Sequence, residues 1–134
     1  LRLNKFWLPV YLYAFLIFIL SSIPKLPQIS PDIPNLDKLL HIIEYGIFGL
    51  LLARAFENSS AQFLRPFPYV EGGRSILFRI RDKTLILTII ISCLYGITDE
   101  IHQAFVPGRE SNAWDVLFDT IGALLFVWIK RKRL

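Results

Sequence analysis

Methionine is absent from the sequence, and cysteine occurs once, at Cys93. A single cysteine excludes an intramolecular disulfide, and its place within an apolar run reads as a small buried hydrophobe. The chain opens on Leu1 without an initiator methionine, so the expectation is a trimmed amino terminus. Charge is missing over long stretches: residues 6–23, 45–53, 84–98 and 120–129 hold no Asp, Glu, Lys or Arg. Internal repeats and low-complexity tracts are absent too, and no H-E-x-x-H or comparable metal signature occurs.

What is present is apolar. Of 134 residues, 54% are hydrophobic, and the mean hydropathy is +0.48. A soluble domain this short has too little interior to hide so much apolar surface, so hydrocarbon is the better solvent. A spanning helix needs about 20 mostly apolar residues, and four segments qualify: 6–23, 36–56, 84–105 and 111–129. Pro9 falls in the first turn of the first span, where a missing N–H costs little, and Pro24 and Pro27 end it. Arg2 and Lys5 before an apolar run resemble a secretory signal, but no small-x-small cleavage site follows, so the run reads as a retained span. Residues 24–34 are too proline-broken for helix. The polar connector 57–83 contains Gly72-Gly73 between two apolar patches, a pattern that fits either a short hairpin or an interfacial segment. The expected fold is an all-α integral membrane four-helix bundle, with the whole chain, 1–134, as one domain.

Positive charge favours the cytoplasmic side. The amino terminus, the 57–83 connector with its flanks, and the carboxyl terminus together carry a net +9; the opposite side carries −5, and the two make up the chain's +4. Both termini are therefore expected in the cytoplasm of a multi-pass protein. This distribution assigns the basic excess to topology. Scattered cationic loops without stacking aromatics argue against a nucleic-acid partner.

Ionised groups in hydrocarbon cost about 2.5–3.5 kcal/mol on insertion scales, and they persist where they pair, line a wet cavity or do chemistry. Asp37, His41 and Tyr45 recur four apart on the second span, with Glu44 adjacent. Gln103 and Asp99 share a face of the third, flanked by Glu100 and His102. Asp115, Asp119 and Gly122 share a face of the fourth. Each stripe descends about 10 Å from the extracytoplasmic end, so the three are expected to converge on one polar site, roofed by a turn at Pro107-Gly108 with Arg109 as its cation. Bland readings compete at several positions. Asp37 and Asp115 also suit helix N-termini, Lys38 and Glu110 suit a solvated interface, and His41 and Tyr45 suit packing, whereas Asp99, Glu100 and Asp119 lack such an alternative.

These residues form the linked pattern Asp37-Lys38-x-x-His41-x-x-x-Tyr45-x-x-Phe48-Gly49, Asp99-Glu100-x-x-Gln103, Arg109 and Asp115-x-x-x-Asp119-x-x-Gly122. The pattern resembles the VanZ-like family of bacterial integral membrane proteins over about residues 6–130. That resemblance implies a place in the bacterial cell membrane and a link to resistance to teicoplanin, an acyl-tailed glycopeptide acting at the outer membrane face. Family members alternate Asn and Asp at the position of Asp119.

Three function classes follow. The first is an enzyme, a hydrolase or transferase acting on a lipid-linked or amphiphilic cell-envelope substrate. Asp99, Glu100 and Asp119 would serve as its general acid and base, and His41 as a proton relay. Arg109 and Lys38 would hold an anionic group, with Gln103, Tyr45, Asp115, Asp37 and Glu44 completing the binding site. The second is a non-catalytic lipid-binding or transport-assisting protein, for which four spans are few unless it forms an oligomer. The third is a purely structural charge network. No cofactor is expected. A divalent metal held by the carboxylates and His41 ranks behind shared protons as the means of relieving the crowded negative charge.

Overall fold

The computed structural model describes residues 5–24, 36–64 and 73–132, with side chains described at 5–24, 36–59 and 83–132. Among these residues there are four α-helices and no strand: α1 (Leu8–Ser21), α2 (Leu36–Leu64), α3 (Gly73–Gln103) and α4 (Ala113–Lys132). The apolar stretches of α2 over Leu36–Ser59 and of α3 over Lys83–Gln103 are long and apolar enough to cross a membrane. With its 14 residues, α1 is a shorter apolar helix, about 21 Å long at 1.5 Å per residue.

Local chemistry sets the limits of α1. Pro9 lies in its first turn. At the other end the Ser22 N–H donates to the carbonyls of Phe18 and Ile19. The Ser21 and Ser22 hydroxyls donate back to the carbonyls of Ile17 and Phe18, four residues earlier, as helical serines commonly do.

The connector is much shorter than the sequence suggests. α2 continues through residue 64 and α3 starts at Gly73, so of the two patterns left open for the connector, a hairpin or an interfacial segment, the hairpin does not form over 75–80, which is helix. Extending an existing helix fixes one residue per hydrogen bond, whereas an isolated two-stranded hairpin is marginal, and propagation wins. The apolar patch at 67–70 lies outside the described residues.

Small residues bring the helices together. A β-carbon on Gly49 would lie 2.9 Å from the Cα of Ala123, and one on Gly122 would lie 2.8 Å from the Cα of Ile42. α2 and α4 therefore meet backbone to backbone, the contact that small residues permit where no larger side chain fits. Gly96 brings α3 against Asp119 in the same way, its notional β-carbon 2.8 Å from a carboxylate oxygen. On the other flank of α2, Val10 and Ile17 of α1 pack on Tyr45, Phe48 and Leu52. An aromatic series braces this layer: Phe48 meets Tyr95 at 5.2 Å and Tyr45 edge-on at 6.0 Å, and Trp7 meets Phe56 edge-on at 5.0 Å. The Tyr95 hydroxyl donates to the Ala14 carbonyl at 2.6 Å.

Polarity is distributed opposite to that of a water-soluble bundle. Thr84, Thr88, Ser92, Gly96 and Glu100, each four residues apart on α3, are all buried. Phe105, Trp114, Phe15 and Leu12 are 60–82% exposed.

Candidate functional site

The site is assembled from α2, α3, α4 and the turn between α3 and α4. That turn is closed by the Arg109 N–H donating to the Val106 carbonyl at 3.1 Å, with Gly108 at φ 76°. Pro107 followed by a left-handed glycine is the type II pattern, where only the residue without a β-carbon is unstrained. Asn112 then starts α4: its side-chain oxygen accepts the Trp114 N–H at 3.1 Å, as a helix cap does. Glu100 accepts the Asn112 N–H at 2.7 Å, tying the last turns of α3 to the first of α4.

Two cavities open at this end. One, of about 340 Å³, is lined by Tyr13, Leu20, Ser21, Leu40, Ile43 and Glu44 together with Asp37, His41, Gln103 and Arg109. The other, of about 240 Å³, shares those last four residues and adds Lys38, Glu110, Ser111, Asn112 and Asp115. The two thus form one two-chambered space, with apolar side chains largely on the first side and polar ones on the second.

Behind the wall lie Asp99, Glu100, Asp119 and Tyr45, which line neither chamber and are buried. Three buried acids each hold a lining residue. Asp119, fully buried, bonds the Nδ1 of His41 at 2.9 Å. Asp99 accepts from the Gln103 amide at 2.9 Å. Asp115 pairs with the Lys38 ammonium, which also reaches Asp37 at 3.2 Å. With Nδ1 engaged by Asp119, the His41 ring is fixed in orientation and Nε2 is the nitrogen left for another partner. Glu44, which lines the first chamber, lies within electrostatic reach of His41, Asp99 and Arg109. Asp119 is in the same reach of Asp99 and Glu100.

The eleven residues singled out from sequence therefore divide. His41, Gln103, Arg109, Lys38, Asp37, Asp115 and Glu44 line the space, while Asp99, Glu100, Asp119 and Tyr45 back it. Arg109 is partly committed elsewhere: its Nε donates to the Ile23 carbonyl at 3.1 Å and its Nη2 to the Leu20 carbonyl at 3.0 Å. Those carbonyls end α1, where a cation is favoured, and three guanidinium N–H groups remain for other acceptors. His102 turns away to α1, bonding the Ser22 hydroxyl at 2.9 Å and lying tilted against the Phe18 ring with centroids 4.6 Å apart. Tyr13 and Ser21 were not anticipated. Their spacing with Ile17, four apart on a helix that looks uniformly apolar, was the available signal.

Asp37, His41 and Asp115 bring donor atoms within 4.8 Å of one another, a set able to hold a divalent ion. The Lys38 ammonium bonds both carboxylates of that set and already supplies the compensating positive charge.

Neither a curated protein sequence nor a solved structure matches the chain. The VanZ/LLP1 family model matches residues 4–131, a stretch that holds every residue of the site, and the chain accordingly belongs to the VanZ/LLP1 family.

Proposed function

We propose that the chain is a multi-pass membrane protein, both termini cytoplasmic, whose acid-rich end receives a lipid-linked or amphiphilic cell-envelope molecule from the extracytoplasmic leaflet. The observation that carries this reading is the two-chambered space, apolar beside Tyr13, Leu20, Leu40 and Ile43 and polar beside Lys38, Asn112 and Asp115, with His41, Gln103 and Arg109 between. An amphiphile has the same division: hydrocarbon in one chamber, headgroup in the other. Large apolar side chains facing outward over hydroxyls and carboxylates facing inward support a hydrocarbon surround, since water-soluble monomers rarely expose such apolar area. The family's link to teicoplanin, itself acyl-tailed, is in keeping with such a ligand.

In this reading Lys38 and the free N–H groups of Arg109 hold an anionic phosphate or carboxylate. Gln103, oriented by Asp99, hydrogen-bonds a neutral headgroup atom. His41, oriented by Asp119, passes a proton to or from the bond being transferred or hydrolysed. Glu44 is the remaining carboxylate on the wall of the apolar chamber, suited to a cationic or hydroxyl group of the ligand.

The pairing of Asp115, Asp119 and Asp99 with Lys38, His41 and Gln103 favours a second reading, a charge network that only fixes the bundle. Titration of the purified chain in micelles with a polyprenyl phosphate and with teicoplanin separates the two. A ligand site predicts a melting temperature that rises with either amphiphile by mass action, and loss of that rise in Lys38→Met and His41→Gln chains that remain helical. If neither amphiphile shifts the transition and both substitutions simply lower it, the network reading holds. Product formation from a bound amphiphile by the unsubstituted chain marks catalysis rather than binding alone.

A further inference from the structure

A separate apolar groove lies at the opposite end of the α2–α4 seam. A groove of about 750 Å³ opens there, larger than either chamber of the carboxylate site. Its walls are Leu50 and Leu51 of α2 with Phe126 and Ile129 of α4, and its rim carries Arg54, Glu57, Asn58 and Lys130. The close α2–α4 contacts at Gly49/Ala123 and Gly122/Ile42 fall between this groove and the carboxylate site along both helices. The groove is therefore a separate site and not the far mouth of a tunnel.

Its depth depends on one glycine. The Phe126 ring lies so close to Gly46 that a β-carbon there would meet ring atoms at 2.6–2.9 Å. Glycine lets the ring lie against α2; any larger residue drives it outward into the groove. The rim is biased toward cations. Lys130 is bonded to Glu57 at 2.6 Å, each about one third exposed, while the exposed Arg54 approaches the face of the Phe6 ring at 5.9 Å. Next along α4, exposed Lys132 covers Trp128 at 3.9 Å.

We propose that this groove holds one acyl chain of an anionic phospholipid, with the lipid phosphate bound between Arg54 and Lys130. An apolar trough ending at a guanidinium and an ammonium complements hydrocarbon ending at a phosphate. A zwitterionic lipid would add its own ammonium to a rim already positive. Glu57 competes with the phosphate for Lys130 and so tunes the affinity. The inference rests on the membrane reading above but not on the carboxylate site.

Native mass spectrometry of the full chain, released from micelles holding equal phosphatidylglycerol and phosphatidylcholine of identical chains, tests it. The wild type should retain phosphatidylglycerol about tenfold over phosphatidylcholine: both phosphates meet the two cations, but only choline adds an ammonium to a positive rim, a like-charge contact of about this size near a protein surface. Arg54→Gln should abolish that preference, and Glu57→Gln should increase it. Gly46→Ala should reduce retention of both lipids; should that chain fail to fold, Phe126→Trp fills the groove from the other wall with the same expected result. Millimolar inorganic phosphate should not displace the lipid. Equal retention of the two lipids by the wild type, or an undiminished preference in Arg54→Gln, overturns the proposal.

Discussion

Replacing Gly122 with Ala tests the geometry on which the carboxylate site depends. The added β-carbon would meet the backbone of Ile42, with its Cα at 2.8 Å and its carbonyl carbon at 2.9 Å, where ordinary contact starts at 3.4 Å. Backbone atoms of a helix cannot rotate aside as a side chain can, so α2 and α4 must separate by roughly half an ångström or more, and overpacking of this kind costs about 1–3 kcal/mol. The displacement falls where it matters, because Ile42 follows His41 and Gly122 lies three residues beyond Asp119. A 2.9 Å hydrogen bond between those two lengthens to a distance at which it is weak. The assay is reversible unfolding in mixed micelles, run beside Gly46→Ala as an internal control. At Gly46 the obstructing atoms belong to the Phe126 ring, which can move. Gly122→Ala should be the more destabilising by about 1 kcal/mol or more, and it alone should impair ligand binding at the carboxylate site. Equal losses from the two substitutions, or intact amphiphile binding by Gly122→Ala, would refute the claim that backbone contact sets the site.

Other outcomes follow from the same structure. A double-mutant cycle of His41→Gln and Asp119→Asn in unfolding experiments should give a coupling of about 1.5–3 kcal/mol, since their hydrogen bond involves an ionisable carboxylate; additivity would mean the bond is not formed. Lys38→Met strands the buried Asp115 carboxylate and should cost about 3 kcal/mol, whereas Lys38→Met with Asp115→Leu should recover most of it; a double variant no more stable than the single one would show that Lys38 contributes through something other than that charge. In a Cys93→Ala background, Glu110→Cys should react with an impermeant thiol reagent in intact cells and Ser75→Cys should not, and labelling of both from one side would overturn the topology. Because the Lys38 ammonium already bonds both Asp37 and Asp115, chelators should leave the melting temperature unchanged; a stoichiometric divalent metal in the purified protein, lost on Asp115→Asn, would reverse that expectation.

The sequence by itself determined the all-helical class, the apolar stretches of α2 and α3, the turn at Pro107-Gly108, and which polar residues recur four apart on each helix. Those features are local. A run of apolar residues is countable, a proline is readable, and a helical period of 100° fixes how residues on one helix are arranged around its axis. The same period says nothing of how far one helix is rotated against another. Packing decided that rotation: Gly49 on Ala123 and Gly122 on Ile42 set α2 against α4, and Gly96 on Asp119 sets α3, so that His41 and Gln103 face the cavity while Asp119 and Asp99 stand behind them. Sequence reading gave Asp99, Glu100 and Asp119 acid–base roles because no capping, interfacial or packing role competes there; that they back the cavity wall and do not line it depends on how the helices are rotated against one another. The contribution of α1 was hidden for a related reason. Arg109 reaches back across more than eighty residues to backbone carbonyls of Leu20 and Ile23, and carbonyls are present at every position, so no residue type marks them. At the other end of the helices, composition suggested a broken connector where α2 and α3 continue as helix, because a polar residue in a helix already nucleated costs only a few tenths of a kcal/mol, too little to stop it.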